Sequence, residues 1–447
     1  MKHITYTRKP LGNSRFLWKQ KEFALSTFNC IGDYTEQTIR EAKVAGFNLL
    51  EVGWGSHEKV WEAVEACEKV GIDLIFQDLS VMGGMMHRHL HQPVDYEEIR
   101  RIAGILKEKK HTVGYYVWDE PYRDDLFAQA RKESDLLQEC DPEALLFSVF
   151  PPSYNPGPTW DNGQYAEAFE EYIRRVDPPV LSMDCYPIGN YCRLYPGLVY
   201  TDEQQLDDSP MWLDMTVARN LARKYNLPFW FYYQGSDVYH APHMEFPMVR
   251  MMMYAAVLYG AKGLQNYTLT GKCRLPKEGE SWPQNWTVLL GSGGKGEFFD
   301  DQVKIHTEMK ALGPTLLALS NTGVYHSDDL QVYGKYGEIY KDYQENISES
   351  TLLSAPLPRR CSAGEFTDGF GNRYLMILNR DFYEHLDAQL SLTGNYRIYE
   401  VSRQDGQQRV IHDNTNTLPI SLNPGDAILL RLQNPQEEPF TIEYRNP

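Results

Sequence analysis

The chain has 447 residues, and 44 Lys+Arg set against 61 Asp+Glu give a formal charge of −17. One hydrophobic core rarely supports that length, so a large domain with a smaller companion is expected. Hydrophobic residues at 42% and charged residues at 23% exclude a disordered or fibrous chain, and the negative charge argues against nucleic acid and anionic membrane surfaces as partners.

The opening MKHITYTRKPLGNSRFLWKQ is basic but has neither an apolar h-region nor a small-residue cleavage site. A cytoplasmic location is expected, or a secreted or periplasmic one if a leader precedes this sequence. No apolar run approaches the roughly 20 residues of a membrane-spanning helix. Seven cysteines (Cys30, Cys67, Cys140, Cys185, Cys192, Cys273, Cys361) are scattered and never in C-x-x-C spacing, a pattern of free thiols in a reducing compartment. Cys185 and Cys192 lie close enough in sequence to bridge.

Residues 34–45 read as a helix, with Asp33 as cap, Glu36 completing a capping-box spacing and Gly46 as the stop. FNLLEVG (47–53) follows as a short buried strand. The unit then repeats as a helix over 56–70, Gly71, and IDLIFQD (72–78), with Asn48 and Asp73 at equivalent positions. Six further strands are expected: FALSTFN (23–29) before these, then TVGYYVWDE (112–120), ALLFSVF (144–150), VLSMDCY (180–186), PFWFYYQG (228–235) and GLQNYTL (263–269). Helical patterns lie near 96–110, 125–139, 163–176, 210–225 and 246–259, with a last one between 298 and 319. Eight near-continuous apolar strands, each followed by a helix, predict an α/β TIM (β/α)8 barrel, with a doubly wound open sheet as the alternative. From about 326 the runs become short, strand-like and broken by Gly, Asn, Asp and Pro. The expected division is a barrel domain over 1–325 and an all-β sandwich domain over 326–447.

TIM-barrel sites sit at the C-terminal ends of the strands. Those ends carry Asn29, Glu51 with Trp54, Gln77 with Asp78, Asp119 with Glu120, Asp184 with Tyr186, Gln234, and Asn266. Strand ends meet water and helix caps, so a single acid there means little. Carboxylates from several strands converging on one mouth mean more. Asp119-Glu120-Pro121 is the most specific of these signals. Cleavage of a glycosidic bond needs one acid to protonate the leaving oxygen and a second carboxylate to attack or to activate water. Crowding two carboxylates in a buried mouth raises the pKa of one of them. Adjacent strand residues point to opposite faces, so Asp119 and Glu120 share the mouth only if the strand ends there, as Pro121 suggests. Trp54, Trp118, Tyr186, Tyr232 and Tyr233 could stack on sugar faces or simply fill the core.

GYYVWDEPY (114–122), followed by a helix and DPEALLFSVFPP (141–152), resembles the fourth-strand segment of clan A-type glycoside hydrolases, near bacterial relatives of β-galactosidases. EFPMVRMMMYAAVLYGAKGLQNYTL (245–269) is similar to their seventh-helix and eighth-strand segment. The resemblance implies a glycoside hydrolase acting on a carbohydrate without a cofactor, with Glu120 as general acid/base. Two departures stand out. Asp119 replaces the clan's Asn, and Gln234 ends the seventh strand where a Glu nucleophile is expected. A neutral amide cannot form the glycosyl ester, so Asp184 is the candidate nucleophile or base, and Asp119 the partner that tunes pKa or holds substrate. Glu51, Trp54, Asp78, Trp118, Tyr186, Tyr233, Gln234 and Asn266 are the expected substrate-binding set. A substrate-assisted hexosaminidase using Asp119-Glu120 and a non-catalytic carbohydrate-binding barrel are the alternatives.

The remaining signals read as structure. His87, His89 and His91 alternate, as ligands on one strand face would, but sit in a polar stretch that reads as a loop lining the cleft, so no metal is expected. Gly291, Gly293, Gly294 and Gly296 spell G-x-G-x-x-G without a βαβ unit around it, which reads as a loop. Met248, Met251, Met252 and Met253 read as packing on a buried helix.

Overall fold

Eight parallel strands close into a barrel in chain order: β2 (Ala24–Asn29), β3 (Leu49–Val52), β4 (Asp73–Phe76), β5 (Thr112–Asp119), β6 (Leu145–Phe150), β7 (Leu181–Asp184), β8 (Phe229–Gln234) and β9 (Gly263–Tyr267). β9 pairs back onto β2, which completes the closure. A helix follows every strand, the last being Phe299–Ala318. The computed structural model describes the chain apart from residues 10, 12–19, 30–33, 53–55, 79–80, 82–92, 155–163, 189–208, 237–243, 271–286, 291–293, 333 and 447. The open-sheet alternative is excluded.

Local chemistry sets the first two units. The helix Glu36–Val44 is capped by Thr35, whose hydroxyl accepts from the Thr38 N–H at 3.2 Å, so the cap falls two residues after the expected Asp33. Gly46 has φ +98°, and a Cβ there would lie 2.6 Å from the His306 Cβ, so only glycine fits. Two residues beyond each repeat glycine, a polar side chain ties neighbouring strands together. Asn48 accepts from Leu25 N at 2.8 Å and donates to Phe23 O at 2.9 Å, while the Asp73 carboxylate meets His111 Nδ1 at 3.0 Å.

The second layer is a six-stranded antiparallel sheet in the order β10 (Leu319–His326), β11 (Cys361–Asp368), β12 (Arg373–Asn379), β15 (Ala427–Gln433), β13 (Leu386–Val401), β14 (Gln408–Leu422). β10 follows directly on the helix Phe299–Ala318, so this sheet begins at Leu319, ahead of the expected 325/326 division. The chain's first strand, β1 (Lys2–Thr7), also departs from that division. It pairs in parallel with β16 (Phe440–Arg445), and this two-stranded sheet meets the larger one where Tyr374 OH and Tyr444 OH lie 2.6 Å apart. The described part of 326–447 holds one helix of 8 residues, Gly334–Lys341, and a single 3-10 turn at Ile347–Glu349; its strands make up the rest of the ordered elements.

The methionine-rich helix Phe246–Leu258 joins the two layers. Met248, Met251, Met252 and Met253 are all buried, because one face meets the barrel and another meets β12. Each such side chain removed from water contributes about 1.5–3 kcal/mol. At its edge Arg250 donates to Glu308 Oε2 at 2.6 Å and to Asp426 Oδ1 at 2.7 Å, and Tyr254 OH donates to the same Glu308 oxygen at 2.6 Å. Arg403 also pairs with Asp426. Barrel helices and sheet are therefore locked by buried charge as well as by apolar contact. Among the described residues no helix is long and apolar enough to cross a membrane, and Cys67, Cys140, Cys185 and Cys361 are free thiols.

Candidate functional site

The barrel interior is polar through its middle. Ser26 Oγ on β2 and Gln265 Nε2 on β9 both donate to Glu51 Oε1 on β3, at 2.6 and 2.8 Å. Ser182 Oγ on β7 donates to Gln265 Oε1 at 2.7 Å, extending the chain across four strands. Below it Trp230 lies against Gly263, where any Cβ would come within 2.8 Å of the indole, and Trp230 Nε1 donates to Gln20 Oε1 at 3.2 Å. Side chains thus fill the lower end of the barrel.

Strand β5 delivers the acids by breaking its own alternation. The β5–β6 register shifts between Tyr116 and Trp118, so Val117 and Trp118 both face the surrounding helices and Asp119 turns inward. Tyr116 OH donates to Asp119 Oδ1 at 3.1 Å. The strand ends there, and Glu120 adopts a left-handed conformation with φ +48°, its N–H donating to Val149 O at 3.2 Å. This turn lets two consecutive acids serve one mouth.

From β7, Asp184 meets them. Burial, and after it the charges of Glu120 and Asp119, push its carboxyl well above the usual carboxylate range. Tyr116 stands among three acids: burial, then Asp119, Glu51 and Asp184, drive its phenol well above its ordinary value. Burial raises Glu51 to about 7 against the opposing hydrogen bonds from Ser26 and Gln265. Asp184 and Glu120 therefore titrate as an interacting pair, an environment that pushes the Asp184 carboxyl toward its protonated form.

Aromatic rings flank the acids. Tyr186 stacks on Tyr267 with centroids 4.5 Å apart, and Tyr267 stacks on Phe28 at 5.9 Å. Glu51 Oε2, Asp184 Oδ1, Gln77 Oε1, Tyr232 OH and both amide atoms of Asn266 are buried without a hydrogen-bond partner among the described residues. Buried polar atoms in folded proteins are nearly always satisfied, so such a set stands out among the described residues.

Other expected residues are used differently. Trp118 packs outside the barrel with Phe127 and Phe150. Tyr233 also faces outward and accepts from Gln302 Nε2 at 3.2 Å, because alternation along β8 turns Tyr232 inward instead. Gln234 spends both amide atoms on the backbone of Ile188, and Asp78 Oδ2 pairs with His57 Nδ1 at 2.5 Å. Trp54, His87, His89 and His91, with Gly291 and Gly293, lie outside the described residues. Sequence reasoning passed over Tyr116, Ser26, Ser182 and Gln265. Their signal was an inward parity shared with Glu51 and Asp184, readable only once the register was known.

No family model and no curated protein matches the chain. Among solved structures it is similar to a glycoside hydrolase family 30 subfamily 8 xylanase from Clostridium acetobutylicum, with TM-score 0.45 and 8% identity over 96% of this chain and 98% of that one. It is also similar to a Lactobacillus rhamnosus β-glucuronidase, with TM-score 0.44 and 12% identity over 67% of this chain and 52% of that one. A Ruminococcus gnavus β-glucuronidase gives TM-score 0.45 and 9% identity over 67% and 53%. The chain spans about half the length of these β-glucuronidases.

Proposed function

We propose that the barrel mouth hydrolyses a glycosidic bond between Asp184 and Glu120. The observation that carries this reading is the convergence of three carboxylates from β5 and β7, in which burial, and after it the charges of Glu120 and Asp119, push the Asp184 carboxyl upward. A proton-bearing acid and an ionised partner are the two groups such a reaction needs. The upward push on Asp184 favours it as the proton donor, with Glu120 attacking or activating water; the expectation from sequence was the opposite division, with Glu120 as general acid/base. The strained turn at Glu120 supports its role, since left-handed conformations in side chains with a Cβ are kept where surrounding structure enforces them for a purpose. The unpartnered polar atoms and the Tyr186–Tyr267 stack suit a polyhydroxylated ring. Asp119, held by Tyr116, binds substrate or tunes the pair.

Purified protein is to be assayed on a panel of aryl glycosides with leaving groups of graded acidity. Cleavage is expected, with Asp184→Asn losing least on the most acidic leaving groups and Glu120→Gly recovering turnover with azide. Cleavage confined to 2-acetamido sugars would shift the reading to substrate assistance. No cleavage of any member, with sugar binding retained, would leave a carbohydrate-binding barrel.

A further inference from the structure

The opposite end of the barrel is cationic. A cavity of about 520 Å³ opens between the N-terminal ends of the barrel strands and the sheet layer, and its walls include Arg8, Lys9, Arg219, Arg223 and Lys262. Among the described residues Asp368 is the one acid in the lining, and its oxygens are taken by the N–H groups of Phe370 and Asn372, the Asn372 amide and Tyr444 OH. Arg219 is neutralised by Glu345 at 3.0 Å. Arg8, Lys9, Arg223 and Lys262 pair with no carboxylate among the described residues. In a chain of net charge −17, this hollow gathers four basic side chains with no ion-pair partner among the described residues.

We infer that this cavity binds a phosphorylated small molecule, its phosphoryl dianion held by Arg8, Arg223, Lys9 and Lys262. Arg8 is buried; its Nη2 donates to the carbonyls of Gln20 and Lys21 and to Asn446 Oδ1, its Nη1 to Lys9 O, and its buried Nε has no partner among the described residues. Lys262 is buried, with Nζ donating to Leu316 O at 2.5 Å and to Leu319 O. Burial, and then Arg8, lower Lys262 to about 7; burial, and then Arg219, lower Arg223. A bound dianion would favour the charged forms of both side chains. Guanidinium forks match phosphate oxygens in geometry as well as charge. The volume lies within the range of small-ligand pockets. At the rim Phe370 is 56% exposed and stacks on Tyr6 with centroids 3.5 Å apart, a surface against which the organic part of a phosphate ester can rest. Five residue steps along β8 separate Phe229 in the cavity wall from Gln234 at the other end, roughly 16 Å at strand rise. The site is therefore separate from the carboxylates.

The test is calorimetric titration of the full chain with inorganic phosphate and with adenosine monophosphate, at ionic strength matched by chloride. Saturable binding is expected, weakened at least tenfold in Arg223→Gln and Lys9→Gln, both exposed positions whose replacement leaves the fold intact by circular dichroism. Glu120→Gln should bind the same ligands unchanged, which separates this site from the mouth. Tighter binding of the nucleotide than of phosphate assigns the Phe370 surface to the organic part. Absence of saturable binding for both ligands, or binding indifferent to both cation variants, would overturn the inference.

Discussion

Gln234 and Ile188 hold each other by two hydrogen bonds: Gln234 Oε1 accepts from the Ile188 N–H at 2.8 Å, and Gln234 Nε2 donates to Ile188 O at 2.9 Å. The amide is thus a brace for the segment leaving β7, the strand that carries Asp184. A glutamate at this position keeps the acceptor but turns the donor into a second acceptor facing a carbonyl. Gln234→Glu should therefore lose about 1–3 kcal/mol in denaturant unfolding and gain no turnover. A rise in activity would mean that the side chain reaches the substrate after all.

Glu120 sits at φ +48°, where a Cβ is strained by about 1–2 kcal/mol. Glycine escapes that penalty, and at ordinary positions it is the less stable choice by comparison with alanine. Here the order should invert: Glu120→Gly is expected to be more stable than Glu120→Ala by about 1 kcal/mol, with hydrolysis lost in both. Equal melting temperatures for the two variants would count against the strained turn.

Asp184 carries the cost of its neighbours. Its raised carboxyl means that the folded state resists releasing a proton the unfolded chain gives up readily. Asp184→Asn removes that resistance, so its melting temperature should exceed the parent's at pH 8 and approach it at pH 4. Activity should fall by roughly 100-fold or more through loss of the proton donor. A variant less stable than the parent at pH 8 would contradict the electrostatic picture of the mouth.

How far the chain declares this arrangement depends on which property is asked of it. All eight barrel strands were legible, because each is an apolar run closed by a polar residue or a glycine, and burial on both faces enforces that composition. The convergence of Asp119, Glu120 and Asp184 followed from strand ends alone. The faces were harder. Strict alternation puts Trp118 on the same side as Tyr116, but the bulge in β5 inserts one residue and hands the inward place to Asp119. Tyr232 and Tyr233 are chemically equivalent in the sequence, and the register of β8 against β9 decides which one enters. The β1–β16 pair joins the two ends of the chain, a contact that local periodicity cannot carry.

Arg250 links the helix Phe246–Leu258 to Glu308 and to Asp426, which is 5% exposed in its side chain. Removing one member of a buried ion network strands the others, at a cost of about 3–5 kcal/mol. Arg250→Ala should show that loss, with the sheet layer exchanging its amide hydrogens earlier than the barrel. The double variant Arg250→Ala with Asp426→Ala should cost less than the sum of the two singles. Additive losses would show that the pair does not couple the two layers.

Glu51 gives the clearest pH signature. Its carboxyl is raised from 4.5 to about 7 in the folded protein, with burial as the leading cause. Below about pH 4.5 the group is protonated in both states and its full contribution is present. Between 4.5 and 7 the unfolded chain releases the proton while the folded chain retains it, so stability falls as pH rises. The difference, 7 − 4.5 = 2.5 units, corresponds to about 3 kcal/mol, lost in full above pH 7. Glu51→Gln keeps an acceptor for Ser26 and Gln265 and cannot titrate. Its stability should be flatter than the parent's between pH 5 and 7, and it should exceed the parent at pH 8. Urea unfolding at half-unit pH steps reads both slopes, and parallel curves for the two proteins would remove Glu51 from the account of the interior.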